Sequence, residues 1–191
     1  MNPTLMNNCI LRWIFYWFAS FCLFIMGWKA KGKMPDIKKF ILIAAPHSSN
    51  WDFVFFLLII FKLKITAHWM AKHTMFQWPF KWLLKRLGGI SVYRSEKGNI
   101  VQSLTDVFEK SKELIITIAP SGTRKKGVEW KTGFYHIACQ AKVPIVLGFI
   151  DYKKKIAGIG PTFHPSGDIN ADMALIRAFY AEFSGRYPTS P

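Results

Sequence analysis

Apolar positions fall in two kinds of run that alternate along the chain. The blocks 40–45 (FILIAA), 65–70, 90–93, 114–119 (LIITIA) and 144–150 (PIVLGFI) are short and nearly continuous, the pattern of strands covered on both faces. Between them, 50–61, 79–87, 97–112 and 132–140 predict helices. In 97–112 the residues Ile100, Val101, Leu104, Val107 and Phe108 recur at helical spacing. Pro46 closes the first strand, and Gly88-Gly89 stops the helix before it. The Gly-containing segment 156–163 predicts an edge strand and 171–183 a closing helix. Strands alternating with helices predict an α/β fold: a mostly parallel central sheet flanked by helices, with the loops that leave the strands' carboxyl ends gathered at one edge.

The first 34 residues break this rhythm. Residues 10–28 (ILRWIFYWFASFCLFIMGW) are nineteen positions with one charge, Arg12. As a helix they would reach roughly 28 Å, close to the hydrocarbon thickness of a bilayer. Trp13, Tyr16, Trp17 and Trp28 suit an interface, and Lys29, Lys31 and Lys33 follow at once, so the positive-inside rule places the rest of the chain on the cytoplasmic face. A secretory signal would carry its basic residues on the other flank and end in small residues. The expectation is an N-terminal apolar membrane-anchoring helix with a basic linker over 1–34, and one α/β domain over 35–191. A span, a re-entrant segment, an interfacial helix and a buried core helix all fit the pattern of 10–28.

Composition narrows the partners. The 191 residues carry 26 Lys+Arg against 11 Asp+Glu, a net charge of +15, with 51% hydrophobic and 16% aromatic residues. Disordered, collagenous and disulfide-scaffold classes are excluded. Residues 31–126 hold +11 of the charge, so the basic excess belongs to the body and not to a tail. Basicity, apolar content and aromatic residues together describe a surface that meets anionic lipid. Phe76, Trp78, Phe80, Trp82, Leu83 and Leu84 interleaved with Lys81, Lys85 and Arg86 have the composition of a helix in a headgroup layer, although aromatics packed under a charged face would read alike. No recognised nucleic-acid motif supports the rival partner, and none is expected. Cys9, Cys22 and Cys139 are odd in number and far apart, which predicts neither a disulfide framework nor a Cys-x-x-Cys metal site; no metal is expected.

The chemistry concentrates at strand ends. His47-Ser-Ser-Asn-Trp-Asp52 begins two residues after the first strand, where a helix should start. A carboxylate in the first helical turn can accept from one imidazole nitrogen and leave the other to take a proton from a hydroxyl. The same residues also fit a capped turn followed by a favourable first-turn acid. Gly89 to Arg94 (GISVYR) ends in an arginine past a strand, and 119–124 (APSGTR) supplies a tight turn, backbone N–H groups and another arginine. Guanidinium forks and Gly-containing turns both suit phosphate, while each arginine taken singly also fits a solvent-facing loop start.

With these segments in order, 40–150 resembles the lysophospholipid acyltransferase family, typified by enzymes that acylate lysophosphatidic acid. His47 to Asp52 is similar to its H-x-x-x-x-D motif, Gly89 to Arg94 to its second block, Pro120 to Arg124 to its third, and Val143-Pro144-Ile145-Val146 to its fourth. Residues 131–138 (KTGFYHIA) match the segment between the last two. Ser121 stands where the family usually has Glu. The resemblance implies an acyltransferase domain over 35–191, with His47 as general base, Asp52 as its orienting partner, and Arg94, Ser121, Gly122, Thr123 and Arg124 in the acceptor site. No bound cofactor is implied. The acyl donor would be a thioester of coenzyme A or acyl carrier protein, and the acceptor a membrane lysophospholipid. Direct transfer needs no nucleophilic Ser or Cys, and no Gly-x-Ser-x-Gly elbow is present. It does need fixed donors for an anionic tetrahedral intermediate, for which N–H groups near the predicted helix start are candidates.

The expected function is therefore acyl transfer to the free hydroxyl of a lysophospholipid, first of all lysophosphatidic acid. Ser121 keeps another lysolipid or an aminolipid open as acceptor. A basic lipid- or nucleic-acid-binding module on the same scaffold is the non-enzymatic alternative; its nucleic-acid version predicts binding that weakens steeply with salt and is indifferent to His47.

Overall fold

The computed structural model describes residues 4–92, 97–124 and 128–187. Its strands are β1 (Lys29–Lys31), β2 (Lys39–Ala45), β3 (His68–Lys72), β4 (Gly89–Val92), β5 (Leu114–Ile118), β6 (Ile145–Asp151) and β7 (Ile156–Phe163). Its helices are α1 (Cys9–Ile25), α2 (Trp51–Lys62), α3 (Lys81–Arg86), α4 (Lys97–Lys110), α5 (Gly133–Ala141) and α6 (Ile169–Tyr180). The strands form one sheet in the order β1-β7-β6-β2-β5-β3-β4. From β6 through β2, β5 and β3 to β4 every pairing is parallel. β7 then runs antiparallel to β6, and β1 lies parallel to β7.

Alternation along β2 divides the core. Phe40 and Leu42 face a layer built by α1 and α2, where Phe55, Leu58, Ile59 and Leu23 are buried. Ile41, Ile43 and Ala45 face the opposite layer, with Leu104 and Phe108 from α4, Phe134 and Ile137 from α5 and Ile176 from α6. Because both faces are covered, β2, β5 and β6 are apolar almost throughout.

Three expectations are corrected. The segment expected to be a basic linker contains β1, which has no apolar run to mark it. It is held through backbone pairing with β7, and the approach is close enough that a Cβ on Gly158 would lie 1.9 Å from the Lys31 carbonyl oxygen. In consequence 156–163 is not the edge strand; β1 covers it. The strand expected over 65–70 starts at His68, because Lys64 takes a positive φ of 55° and the Ile65 N–H caps the end of α2 on the Ile60 carbonyl.

The N-terminal helix is shorter than its apolar run. α1 has 17 residues, about 25 Å. After Met26, Gly27 adopts a φ of +69° and Trp28 turns back into the core, 8% exposed. Among the described residues no helix is long and apolar enough to cross a membrane. One side of α1 packs on α2: Ala19 and Leu23 are buried, Phe15 stacks on Phe61 with centroids 4.6 Å apart, and the Lys62 ammonium donates to Ser20 Oγ at 2.8 Å. The other side leaves Trp17, Phe18, Phe21, Phe24 and Ile25 exposed, Phe24 by 83%.

Candidate active site

β2 ends at Ala45, and residues 46–50 carry the chain from the sheet's carboxyl edge to the start of α2. This places Asp52 in the first turn of α2, buried, and facing back to the loop it has just left. Its Oδ2 accepts from the backbone N–H groups of Ser48 at 2.6 Å and Ser49 at 2.7 Å and lies 3.2 Å from His47 Nδ1. Its Oδ1 accepts from the Tyr152 hydroxyl at 2.6 Å. Burial alone would raise the carboxyl pKa. The hydrogen bonds from His47, Tyr152, Ser49 and Ser48 outweigh it and hold Asp52 below its ordinary value, as a carboxylate. His47 Nδ1 is thus the proton-bearing nitrogen and Nε2 the basic one. With 27% of its side chain exposed, His47 is open enough to meet a substrate hydroxyl.

The neighbouring corner belongs to β5. Ile43 pairs with Ile118, so the loop leaving β5 stands beside the loop leaving β2. There Gly122 N–H donates to the Ala119 carbonyl at 3.0 Å, closing a tight turn in which Gly122 has a φ of +58°. Ser121 Oγ donates to the Thr123 carbonyl at 2.8 Å, and Thr123 is half-buried beside an exposed Arg124. Lys131, returned to this turn by its N–H bond to the Pro120 carbonyl at 2.9 Å, lays its side chain along Gly122; its Nζ is 3.6 Å from where a Cβ on Gly122 would be. The structure therefore brings His47, Asp52 and the 121–124 turn to one edge. Arg94 falls outside the described residues, although β4 ends at that same edge.

One assignment changes. Five N–H groups around the start of α2, where candidates for an oxyanion site were expected, are engaged: Ser48 and Ser49 on Asp52, Trp51 on Ser49 Oγ, and Asp52 and Phe53 on the Ser49 and Asn50 carbonyls. Lys131 and Tyr152 are the residues that sequence reading did not single out. Lys131 lies in the recognised 131–138 segment, so proximity to a motif was its only signal. Tyr152 sits 100 positions from Asp52 and had none. A cavity of about 250 Å³ lined by His68, Gly88, Gly89 and Leu104 opens at the amino-terminal ends of β3 and β4, the wrong edge for this chemistry.

Residues 29–147, well over half of the chain, match the family model described as Acyltransferase. The chain belongs to the acyltransferase family. The matched stretch runs from β1 into the first three residues of β6 and contains both corners of the site. No curated protein matches the chain in sequence. Among solved structures this acyltransferase is similar to the 1-acyl-sn-glycerophosphate (LPA) acyltransferase PlsC from Thermotoga maritima, with a TM-score of 0.65 and 16% sequence identity over 94% of this chain and 82% of that one. At that identity the likeness is one of fold.

Proposed function

We propose that this acyltransferase moves a fatty acyl group from an acyl-CoA or acyl carrier protein thioester to the free hydroxyl of lysophosphatidic acid, at the cytoplasmic face of a membrane. The observation that carries the reading is the His47–Asp52 pair, half-buried on the imidazole side and buried on the carboxylate side, next to a Gly-containing turn flanked by Arg124 and Lys131. The name of the Thermotoga maritima protein of like fold supports the acceptor.

His47 Nε2 takes the proton from the acceptor hydroxyl as its oxygen bonds to the thioester carbon. The tetrahedral intermediate collapses by breaking the C–S bond, and the imidazolium returns its proton to the departing thiolate. Atoms balance without a nucleophilic side chain or a metal ion. Arg94, Gly122, Thr123 and Arg124 bind the acceptor's phosphate, with Lys131, laid along Gly122, adding a cation at the same turn. Ser121 is the observation favouring a second reading. It puts a hydroxyl, turned onto the Thr123 carbonyl, where the family usually has a carboxylate, and so suits another lysolipid or aminolipid.

A labelled-thioester assay over a panel of lysolipids tests the reading. Lysophosphatidic acid should be the preferred acceptor, and Arg124→Ala should raise its KM about tenfold or more while leaving kcat within a few-fold. Preference for an acceptor without phosphate would replace the first reading by the second. Membrane attachment is assigned to the exposed side of α1 and to the Trp78, Phe80 and Trp82 cluster around α3, where Lys81, Lys85 and Arg86 meet anionic headgroups. Co-sedimentation with phosphatidylglycerol vesicles should drop when Trp17 and Phe21 are both replaced by Ser; unchanged sedimentation removes α1 from the contact.

A further inference from the structure

We propose that Tyr152 is a positioning residue for the His47–Asp52 pair: its hydroxyl fixes the Asp52 carboxylate so that Oδ2 stays on His47, and it acts on catalysis only through Asp52. The inference rests on the reading of His47 as the base.

Asp52 is anchored unequally at its two oxygens. Oδ2 has three donors, two from backbone N–H groups and one from His47. Oδ1 has the Tyr152 hydroxyl, its one donor among the described residues, at 2.6 Å. Without that bond the carboxylate is free to rotate about its last torsion and share its oxygens between His47 and the loop N–H groups. A carboxylate can only accept, so Tyr152 must donate. Burial, with the Asp52 hydrogen bond and charge, pushes the phenol well above its ordinary value, so the donor persists throughout the working pH range.

The tyrosine is itself held in place. It begins the turn after β6, the strand beside β2, with Ala45 paired to Phe149, so the turn reaches the same carboxyl edge as His47. Its ring stands edge-on to Trp28 at 5.0 Å and to Phe55 at 5.7 Å, and those two rings stack 3.8 Å apart. Residues 184–187 then tie the turn to the catalytic loop. Tyr152 N–H donates to the Ser184 carbonyl at 2.9 Å, Arg186 N–H donates to Ser48 Oγ at 2.9 Å, and the Arg186 guanidinium lies over the Trp51 ring at 5.5 Å. A tyrosine needing only a partner for its hydroxyl would be satisfied by any carbonyl. This one is steered by three separate elements onto the free oxygen of the catalytic carboxylate.

Tyr152→Phe is the test, since it keeps the ring and its packing. The expected result is a kcat lower by roughly tenfold to a hundredfold, the loss of one hydrogen bond to a charged group, with KM for donor and acceptor within about twofold. The charged and titratable groups acting on the Tyr152 hydroxyl are Asp52, Arg186 and Tyr187, and the hydrogen-bond partners that hold Asp52 down are His47, Tyr152, Ser49 and Ser48. With Arg186 and Tyr187 unchanged, removing the phenol leaves Asp52 a stronger base, and the acid limb of the kcat/KM profile moves to higher pH. A purely structural role would lower the melting temperature and leave that limb in place. In the background of Asp52→Asn, adding Tyr152→Phe should cost nothing further; multiplying losses overturn the proposal, as do wild-type kcat and a superimposed pH profile in Tyr152→Phe. Ring-nitrogen NMR of His47 separates this outcome from failure of the base reading. The Nδ1–H tautomer should be fixed in the wild type and mixed with the Nε2–H form in Tyr152→Phe, whether or not any acceptor is turned over. Identical tautomer signals in both proteins overturn the positioning role.

Discussion

Asp52 and Asp172 are two carboxylates built to nearly one plan at opposite edges of the sheet. Each lies in the first turn of a helix, each is buried, and each accepts from a tyrosine hydroxyl, Tyr152 at 2.6 Å and Tyr135 at 2.7 Å. Each also takes backbone N–H donors from the loop before its helix, Ser48 and Ser49 in one case and Ser166 in the other. Both are held below the ordinary carboxyl value because these hydrogen bonds outweigh burial. They differ in one partner. Asp52 adds an imidazole with an open second nitrogen, at the carboxyl ends of the parallel strands. Asp172 adds the Ser166 hydroxyl, and because β7 runs antiparallel its loop falls at the amino-terminal edge. On the proposed reading, the arrangement that stabilises a loop becomes a catalytic pair when a titratable, half-buried base replaces the last donor at the edge where the Gly122 turn stands.

The largest effect should come from removing that partner. His47→Ala takes away the proposed base but leaves the Asp52 carboxylate on its backbone donors. Turnover should fall by about a thousandfold or more, with the melting temperature within a few degrees of wild type. Residual activity within tenfold of wild type would reduce the His47 corner to a capped turn like that at Asp172.

Next in size is a paired substitution. Asp52→Asn should cost activity by roughly a hundredfold as well as stability, because the amide can no longer accept from every donor around it. Asp172→Asn should lose about 2 kcal/mol, some 4–8 °C in melting temperature, while activity per folded molecule is unchanged. Activity lost in both would mean that the amino-terminal edge is coupled to the catalytic one, and the comparison would fail.

How far the sequence showed this division depends on where the signals lie. β2, α2 and the 121–124 turn were legible because continuous apolar runs end in Pro or Gly and the chemistry-bearing residues come immediately after. His47 and Asp52 are five positions apart, within reach of pattern. The Tyr152–Asp52 and Tyr135–Asp172 bonds join residues 100 and 37 positions apart, and only the packing of β6 on β2 and of α6 on α5 brings them together. β1 was hidden for another reason: Lys29–Lys31 contributes backbone and almost no apolar side chain, so no hydrophobic pattern marks it.

A smaller effect is shared by both carboxylates. Each has a folded pKa below the 3.8 of the free group, so its stabilising contribution is complete above that value and disappears as pH falls through the folded one. Stability should decline below about pH 4, and less steeply in Asp172→Asn and in Asp52→Asn alike. A decline unaltered by either substitution would assign acid sensitivity to other groups.

The smallest effect lies on the alkaline side and probes the structural member alone. Burial and the bond to Asp172 push Tyr135 from 10.0 up to about 12. The folded state therefore binds this proton more tightly than the unfolded chain does. The contribution is complete below pH 10 and is lost as pH rises from there toward 12. Tyr135→Phe should cost about 1 kcal/mol near pH 8, the worth of one hydrogen bond. The gap between it and the wild type should narrow above pH 10, where the unfolded wild-type chain gains by ionising and the Phe variant cannot. Denaturant titrations at pH 8, 10 and 11 measure that gap. Parallel curves would mean that Asp172 is held by its loop donors rather than by its tyrosine, and the likeness to Asp52, whose Oδ1 rests on Tyr152, would end there.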